Sequence, residues 1–249
     1  MIKFSDIRSA RPRRAFRHVA MGLGILILAA LTAAAQTKPA RRPRAPDPAL
    51  LPVEDVATLP RVLLIGDSIS IGYTLPVREL LKGKANVHRP LTNCGDTQRG
   101  LASLDKWLGE KKWDVIHFNF GLHDLKYLNA KGEYVTPEQG KQVTLLPQYE
   151  QNLRQLVERL KKTGARIIWC STTPVPDGTM GRVKDAEIAY NAVAAKVAAE
   201  SGIAVDDLHA VAKARQAEIQ SPHNVHFTRE GYKVLAKAVV ASIERALRQ

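Results

Sequence analysis

Short runs of β-branched, aromatic and aliphatic residues recur between residues 61 and 207, separated by stretches long enough to be helices. That alternation constrains the fold more than any other feature, because parallel strands need crossover connections and helices usually supply them. Arg61 to Ile65 (RVLLI), Asn86 to Arg89, Asp114 to Phe120 (DVIHFNF), Arg166 to Cys170 (RIIWC) and Ala204 to Asp207 read as five strands. Gln148 to Lys162 places Leu153, Leu156, Val157 and Leu160 on one helical face, and Gly164 follows as its stop. Val183 to Glu200 and Arg229 to Leu247 pass the same test. The expectation is an α/β domain around a parallel sheet of about five strands. No period of 20 to 50 residues repeats, which excludes a solenoid. Leu125 to Leu146 is polar and weakly periodic, and a loop of that length in a compact domain is often functional.

The first 35 residues stand outside this pattern. A basic stretch ending at His18 precedes an uncharged run, Val19 to Ala35, which closes on Ala33-Ala34-Ala35. Basic, apolar and small-residue regions in that order read as a signal peptide over residues 1–35, cleaved after Ala35; the competing reading is a retained membrane anchor. Either way the protein is expected to be exported, periplasmic or secreted, with membrane contact only through this segment. Arg13-Arg14-Ala15-Phe16 resembles a twin-arginine signal, with Pro12 where such signals carry Ser or Thr, so both export routes stay open. Residues 36–58 hold five prolines and no periodic apolar face, the composition of an extended linker, and the fold is expected over 59–249.

The net charge of +13 invites a nucleic-acid reading, but ten of the 37 Lys and Arg lie in the first 48 residues against two acids. The body is only mildly basic and carries no zinc-finger or RNP-like pattern, so no nucleic-acid partner is expected. Two cysteines, Cys94 and Cys170, are too far apart for a CxxC motif and read as buried thiols. Neither a metal nor a cofactor is expected.

Gly66-Asp67-Ser68 directly follows the first strand. Ligands of open parallel sheets sit at the carboxyl ends of strands, so this serine is placed to act as a nucleophile. Ser70 occupies the place of the second glycine of G-x-S-x-G, and the α/β-hydrolase elbow is not met. Taken alone, Ser68 reads as a helix cap. Three further blocks change that: Asn93-Cys94-Gly95 after the second strand, Gly121-Leu122-His123-Asp124 after the third, and His226-Phe227-Thr228 before the last helix.

These four blocks, in this order, resemble the SGNH (GDSL-like) hydrolase family over residues 61–248. The resemblance implies a flavodoxin-like three-layer α/β/α sandwich with Ser68 as nucleophile and His226 as general base. It also implies an oxyanion hole from the backbone N–H groups of Ser68 and Gly95 and from the block-three residue. The sequence departs from the family pattern twice. His123 stands where the family has asparagine, and its imidazole N–H can still donate to an oxyanion; Asn119, two residues before Gly121, is a spare amide donor. His223 stands where the family has the aspartate that orients the histidine. Asn224 ranks first as its replacement, with Asp206 and Asp207 as distant candidates. Gly95 is expected to be small because the substrate carbonyl approaches the backbone there. His88, His117 and His209 read as structural, and Tyr127 and Tyr134 as loop residues able to stack on a sugar.

The resulting expectation is an exported serine esterase that hydrolyses short, acetyl-type esters, on carbohydrate. Its substrate would be a small-molecule or glycan ester. The alternatives are a lipid or thioester acylhydrolase of the same family, or a non-catalytic glycan-binding protein on a decayed hydrolase scaffold.

Overall fold

A computed structural model describes residues 45–249 of the protein. The expected signal segment, and the linker up to residue 44, lie outside the described residues. Strand β1 (Arg61–Ile65) leads into helix α1 (Ser68–Leu80), then β2 (Asn86–His88), α2 (Thr97–Leu108) and β3 (Val115–Phe118). A two-stranded antiparallel ribbon, β4 (Tyr127–Leu128) with β5 (Lys141–Gln142), precedes α3 (Leu146–Lys161) and β6 (Arg166–Cys170). The chain then forms α4 (Glu187–Ser201), β7 (Ala204–Asp206), α5 (Leu208–Ala214), α6 (Gln216–Ile219) and α7 (Arg229–Leu247).

The main sheet has the order β2-β1-β3-β6-β7, every pair parallel. Helices α1 and α7 pack together on one face, while α2, α3 and α4 pack in series on the other. The protein is a three-layer α/β/α sandwich with the five-stranded parallel sheet that the alternation predicts. With both faces covered, β1 and β3 carry nearly continuous apolar side chains instead of an in-out alternation. At Gly72 an added Cβ would lie 2.1 Å from the Tyr232 ring, so a side chain there would push α1 and α7 apart.

The strand order fixes where a site can form. The chain leaves β1 toward β2 on one side and returns to β3 on the other, so the loops after β1 and β3 diverge above the sheet. That switch point opens a crevice at the strands' carboxyl ends. Gly66-Asp67-Ser68 and Gly121-Leu122-His123-Asp124 are those two loops.

Two expectations need correction. The fold does not begin near Leu59. Asp47 caps a short 3-10 turn, Pro48–Leu50, whose Ala49 is buried. Further on, Asn86 Nδ2 donates to Val56 O and Leu59 O while its Oδ1 accepts Val56 N–H. Asp55 accepts from Arg61 (3.1 Å) and Lys111 (3.0 Å) and meets His88 Nε2 at 2.6 Å, and these partners hold its carboxyl well below the usual range. Side-chain hydrogen bonds thus pin a stretch that has no apolar period. Likewise, residues 125–146 are not one structureless loop: the β4–β5 ribbon and a 3-10 turn, Pro137–Gln139, organise them.

Candidate active site

Ser68 is the first residue of α1. Asp67 caps that helix, its Oδ1 accepting Ile69 N–H at 2.9 Å, while Asp67 itself is almost wholly buried. The cap turns Ser68 into the crevice, and its own N–H, in the helix's first turn, has no acceptor among the described residues. His226 arrives from the far end of the chain on a tight turn. Ser221 N–H donates to His226 O, and the buried Gln220 amide donates to Val225 O and Pro174 O, closing and anchoring that turn. His226 Nε2 then lies 2.8 Å from Ser68 Oγ.

Asn224 settles the imidazole's tautomer. Its Oδ1 accepts the His226 backbone N–H at 3.0 Å, and a backbone N–H can only donate, so the atom facing the ring is oxygen. The same Oδ1 is 2.7 Å from His226 Nδ1, which therefore carries the hydrogen. Nε2 is left with its lone pair toward Ser68, the arrangement a general base requires. Burial lowers the His226 pKa, Asp67 pulling it up and Arg182 down, so the ring is neutral at pH 7. His223 does not touch it; its Nδ1 lies 2.8 Å from Asp177 O. Asp206 and Asp207 are engaged elsewhere, Asp206 with His117 at 2.9 Å and Asp207 as the cap of α5.

The opposite wall holds a second imidazole. His123 Nδ1 is 3.1 Å from Lys126 Nζ. An ammonium has donors and no acceptor, so Nδ1 accepts and the hydrogen sits on Nε2. Burial is the main cause that pushes the His123 pKa down, with Lys126 and Arg182 adding to it and Asp67 opposing. His123 is thus a neutral N–H donor, and it lines the same cleft as Ser68, Asn93, Asn224 and His226.

Two of the expected oxyanion donors are committed elsewhere. Asn119 donates Nδ2–H to Cys170 O (2.8 Å) and Thr172 Oγ1 (3.2 Å), stitching the end of β3 to the end of β6 and the loop after it. Gly95 N–H donates to Asn93 Oδ1 at 2.9 Å. The need for glycine at 95 is also different from the one expected: φ is +71°, a backbone that side chains disfavour.

Asn93 of the second block and three residues that the sequence did not single out, Arg89, Lys126 and Arg182, surround the site. Asn93 lines the cleft and holds Gly95. Arg89 is buried without a carboxylate among the described residues, its donors reaching Gly66 O (3.1 Å), Thr92 O (3.2 Å), Thr74 Oγ1 (3.0 Å), Ser70 Oγ (3.4 Å) and Pro90 O (3.2 Å). It ties the nucleophile turn to the Asn93 loop. Arg182 lines the cleft and donates Nε–H to Leu122 O at 2.9 Å, while Lys126 stands beside His123. Of the two loop tyrosines, Tyr134 lines the cleft.

For a metal, the one candidate group among the described residues is His117, Cys170 and Asp206, whose ligand atoms fall within 4.8 Å. His117 Nε2 is hydrogen-bonded to Asp206, and burial pushes the Cys170 thiol well up, so the trio packs as a neutral thiol beside a His–Asp pair. Both cysteines are free and buried.

A profile of the GDSL-like lipase/acylhydrolase family matches residues 64–234, more than half of the chain and all four blocks. The chain belongs to that family. Its GDSL-like fold is similar to an acetyl xylan esterase, AlAXEase, at 16% identity and TM-score 0.60, over 74% of this chain and 99% of that one. It is equally similar to Axe2, an acetylxylan esterase from Geobacillus stearothermophilus (19% identity, TM-score 0.60, 74% and 94% coverage). A lipase/acylhydrolase from Enterococcus faecalis shares 20% identity at TM-score 0.60, over 76% and 96%. Among curated proteins no sequence relative matches. In this GDSL-like hydrolase, the block-three asparagine and block-five aspartate are replaced by His123 and His223.

Proposed function

We propose that the protein is a serine esterase that removes short acyl groups, acetyl above all, from carbohydrate. The observation that carries this reading is the Asn224–His226–Ser68 chain, with contacts of 2.7 and 2.8 Å. Ser68 Oγ attacks the ester carbonyl as His226 Nε2 takes its proton, and Asn224 Oδ1 holds the imidazolium that forms. Ser68 N–H and His123 Nε2–H donate to the tetrahedral oxyanion, and Gly95 N–H joins them on release from Asn93. His226 then protonates the leaving sugar hydroxyl, and water hydrolyses the acyl-serine by the same steps in reverse. The similarity to two acetyl xylan esterases supports an acetylated glycan as substrate. So does the cleft: it is open, about 350 Å³, and lined mainly by polar side chains, with Leu122, Met180 and Val225 as its aliphatic part. We also infer export to the periplasm or beyond, from the basic, apolar and Ala-rich order of residues 1–35.

Hydrolysis of p-nitrophenyl acetate and p-nitrophenyl dodecanoate tests the acyl preference, with the acetate expected to turn over far faster. A dodecanoate rate equal to or above the acetate rate would move the protein to the lipid acylhydrolases. Glycan binding with no turnover of any ester would make it a binding protein on a hydrolase scaffold. The N-terminal residue of protein recovered from the periplasm or medium tests export.

A further inference from the structure

The cleft is lined by a cation, Arg182, that the hydrolysis steps above do not use, and a second cation, Lys126, stands beside His123. Arg182 spends Nε–H on Leu122 O, and neither Nη group has an acceptor among the described residues. Lys126 gives one N–H to His123 and has two more. Tyr134 props both cations: Arg182 Cζ and Lys126 Nζ each lie 5.4 Å from its ring centroid. The ring reaches that place because residue 181 is glycine, where a Cβ would sit 2.5 Å from Tyr134 Cδ1.

Elsewhere, cations such as Lys196, Lys213 and Lys233 lie beside carboxylates. Arg182 and Lys126 have no carboxylate within ion-pair distance among the described residues, although both are half-buried. The acids nearby do not compensate. None of them is within ion-pair distance of either cation: Asp67 lines the cleft but caps α1 through Oδ1, Asp96 caps α2 and accepts Arg99 N–H, and Asp177 accepts Gly178 N–H. Half-buried donors on a fixed charge are expensive to leave unmatched, and an arginine with Nη1 and Nη2 free presents the two parallel N–H groups that a carboxylate or sulfate accepts.

We propose that the substrate is an acidic glycan, in which the acylated sugar or its neighbour carries a carboxylate or sulfate bound end-on by Arg182 with Lys126 as the second cation. This rests on the esterase reading above and adds the chemical class of the alcohol. The anion lies beside the reacting centre, so its role is to place the acylated sugar.

Calorimetry on the Ser68→Ala protein, which keeps the bound ester intact, tests this with three probes: acetylated trigalacturonate, an acetylated galactose 6-sulfate oligosaccharide and acetylated xylotriose. At least one acidic probe is expected to bind about tenfold tighter than the neutral one at low salt, and to lose that margin as salt rises. The tighter acidic probe identifies carboxylate or sulfate as the group read. Adding Arg182→Gln should bring acidic and neutral probes within about twofold, while Arg182→Lys should keep part of the preference. Equal affinities in the starting protein, or a preference that survives Arg182→Gln, would overturn the proposal. Should the glutamine protein fail to fold, galacturonate against galactose as inhibitors of p-nitrophenyl acetate hydrolysis by the native protein decides instead, equal inhibition counting against it. Absence of p-nitrophenyl acetate turnover would sink the esterase reading alone, because the binding comparison stands without it.

Discussion

The two imidazoles of the cleft are the same chemical group prepared for opposite tasks. His226 faces an acceptor, Asn224 Oδ1, so its hydrogen is on Nδ1 and its lone pair faces Ser68. His123 faces a donor, Lys126 Nζ, so its hydrogen is on Nε2. In the proposed mechanism one ring takes a proton and the other donates a hydrogen bond, and a single neighbour sets which nitrogen carries the hydrogen. A histidine in the block-three position is therefore compatible with the proposed oxyanion hole because a lysine three residues later, two residues past the block, removes the wrong tautomer.

The largest predicted effect removes what both rings serve. Ser68→Ala should lower kcat by about a thousandfold or more with little change in melting temperature, because the reacting groups act as a unit and Ser68 is not a core residue. Activity within tenfold of the parent would show that the nucleophile lies elsewhere.

Next comes the donor ring. His123→Ala should cost roughly a hundredfold in kcat, about 3 kcal/mol, with KM nearly unchanged, since the contact strengthens only as the oxyanion forms. His123→Asn restores an N–H donor and should keep most of the activity. If both variants melt earlier while turnover per folded molecule holds, His123 only packs, and the contrast between the two rings collapses.

A smaller effect comes from exchanging the neighbours. Asn224→Ala frees the His226 ring to turn and should lower kcat about tenfold to a hundredfold. Asn224→Asp places a carboxylate on Nδ1, which raises the His226 pKa and moves the acid limb of kcat/KM up by about one pH unit. In the parent that limb is expected below the ordinary histidine value, because burial and Arg182 lower the His226 pKa. Lys126→Met should reduce kcat several-fold without moving the limb. A limb that shifts with Lys126 but not with Asn224 would reverse the assignment of the two rings.

The sequence shows these regions unequally. The strands were legible because buried parallel strands are nearly continuous apolar runs, and Arg229–Leu247 because one helical face is apolar throughout. The His226–Asn224 contact was legible too, because the two residues are two apart and the contact is local. The donor wall was not. Nothing in the spacing of Asn93 and Gly95 says that a side chain will occupy the glycine N–H. Nor does it show that Arg89 will sit buried against five neutral acceptors, three of them main-chain oxygens, which leave no pattern in residue types. Helix α1 escaped bounds because Gly72, Pro76 and the buried Ser70 and Thr74 break its apolar period, and the segment around Asp55 because ion pairs hold it.

The smallest prediction separates the walls by what lies beneath them. His123 is followed by Asp124, fully buried, whose Oδ1 accepts both Thr97 N–H (3.0 Å) and Thr97 Oγ1–H (2.5 Å) and so anchors the start of α2; His226 rides on an exposed turn. Burial raises the Asp124 pKa from 3.8 to about 7, against the lowering effect of the Thr97 bonds. The folded protein therefore holds a proton that the unfolded chain has released by pH 5. Stability from this group is fully present below about pH 4 and is lost as pH rises through about 7. Asp124→Asn keeps the acceptor for Thr97 and has no charge to bury, so its stability should not fall over that range. The variant should gain on the parent by about 2 kcal/mol, or roughly 5 °C, between pH 5 and pH 8, while kcat/KM changes less than about threefold. Parallel melting curves for the two proteins across those pH values would show Asp124 to be ionised throughout. A large loss of turnover in the folded variant would instead tie the Asp124 charge to the donor wall, leaving the His226 turn as the only part of the site independent of the core.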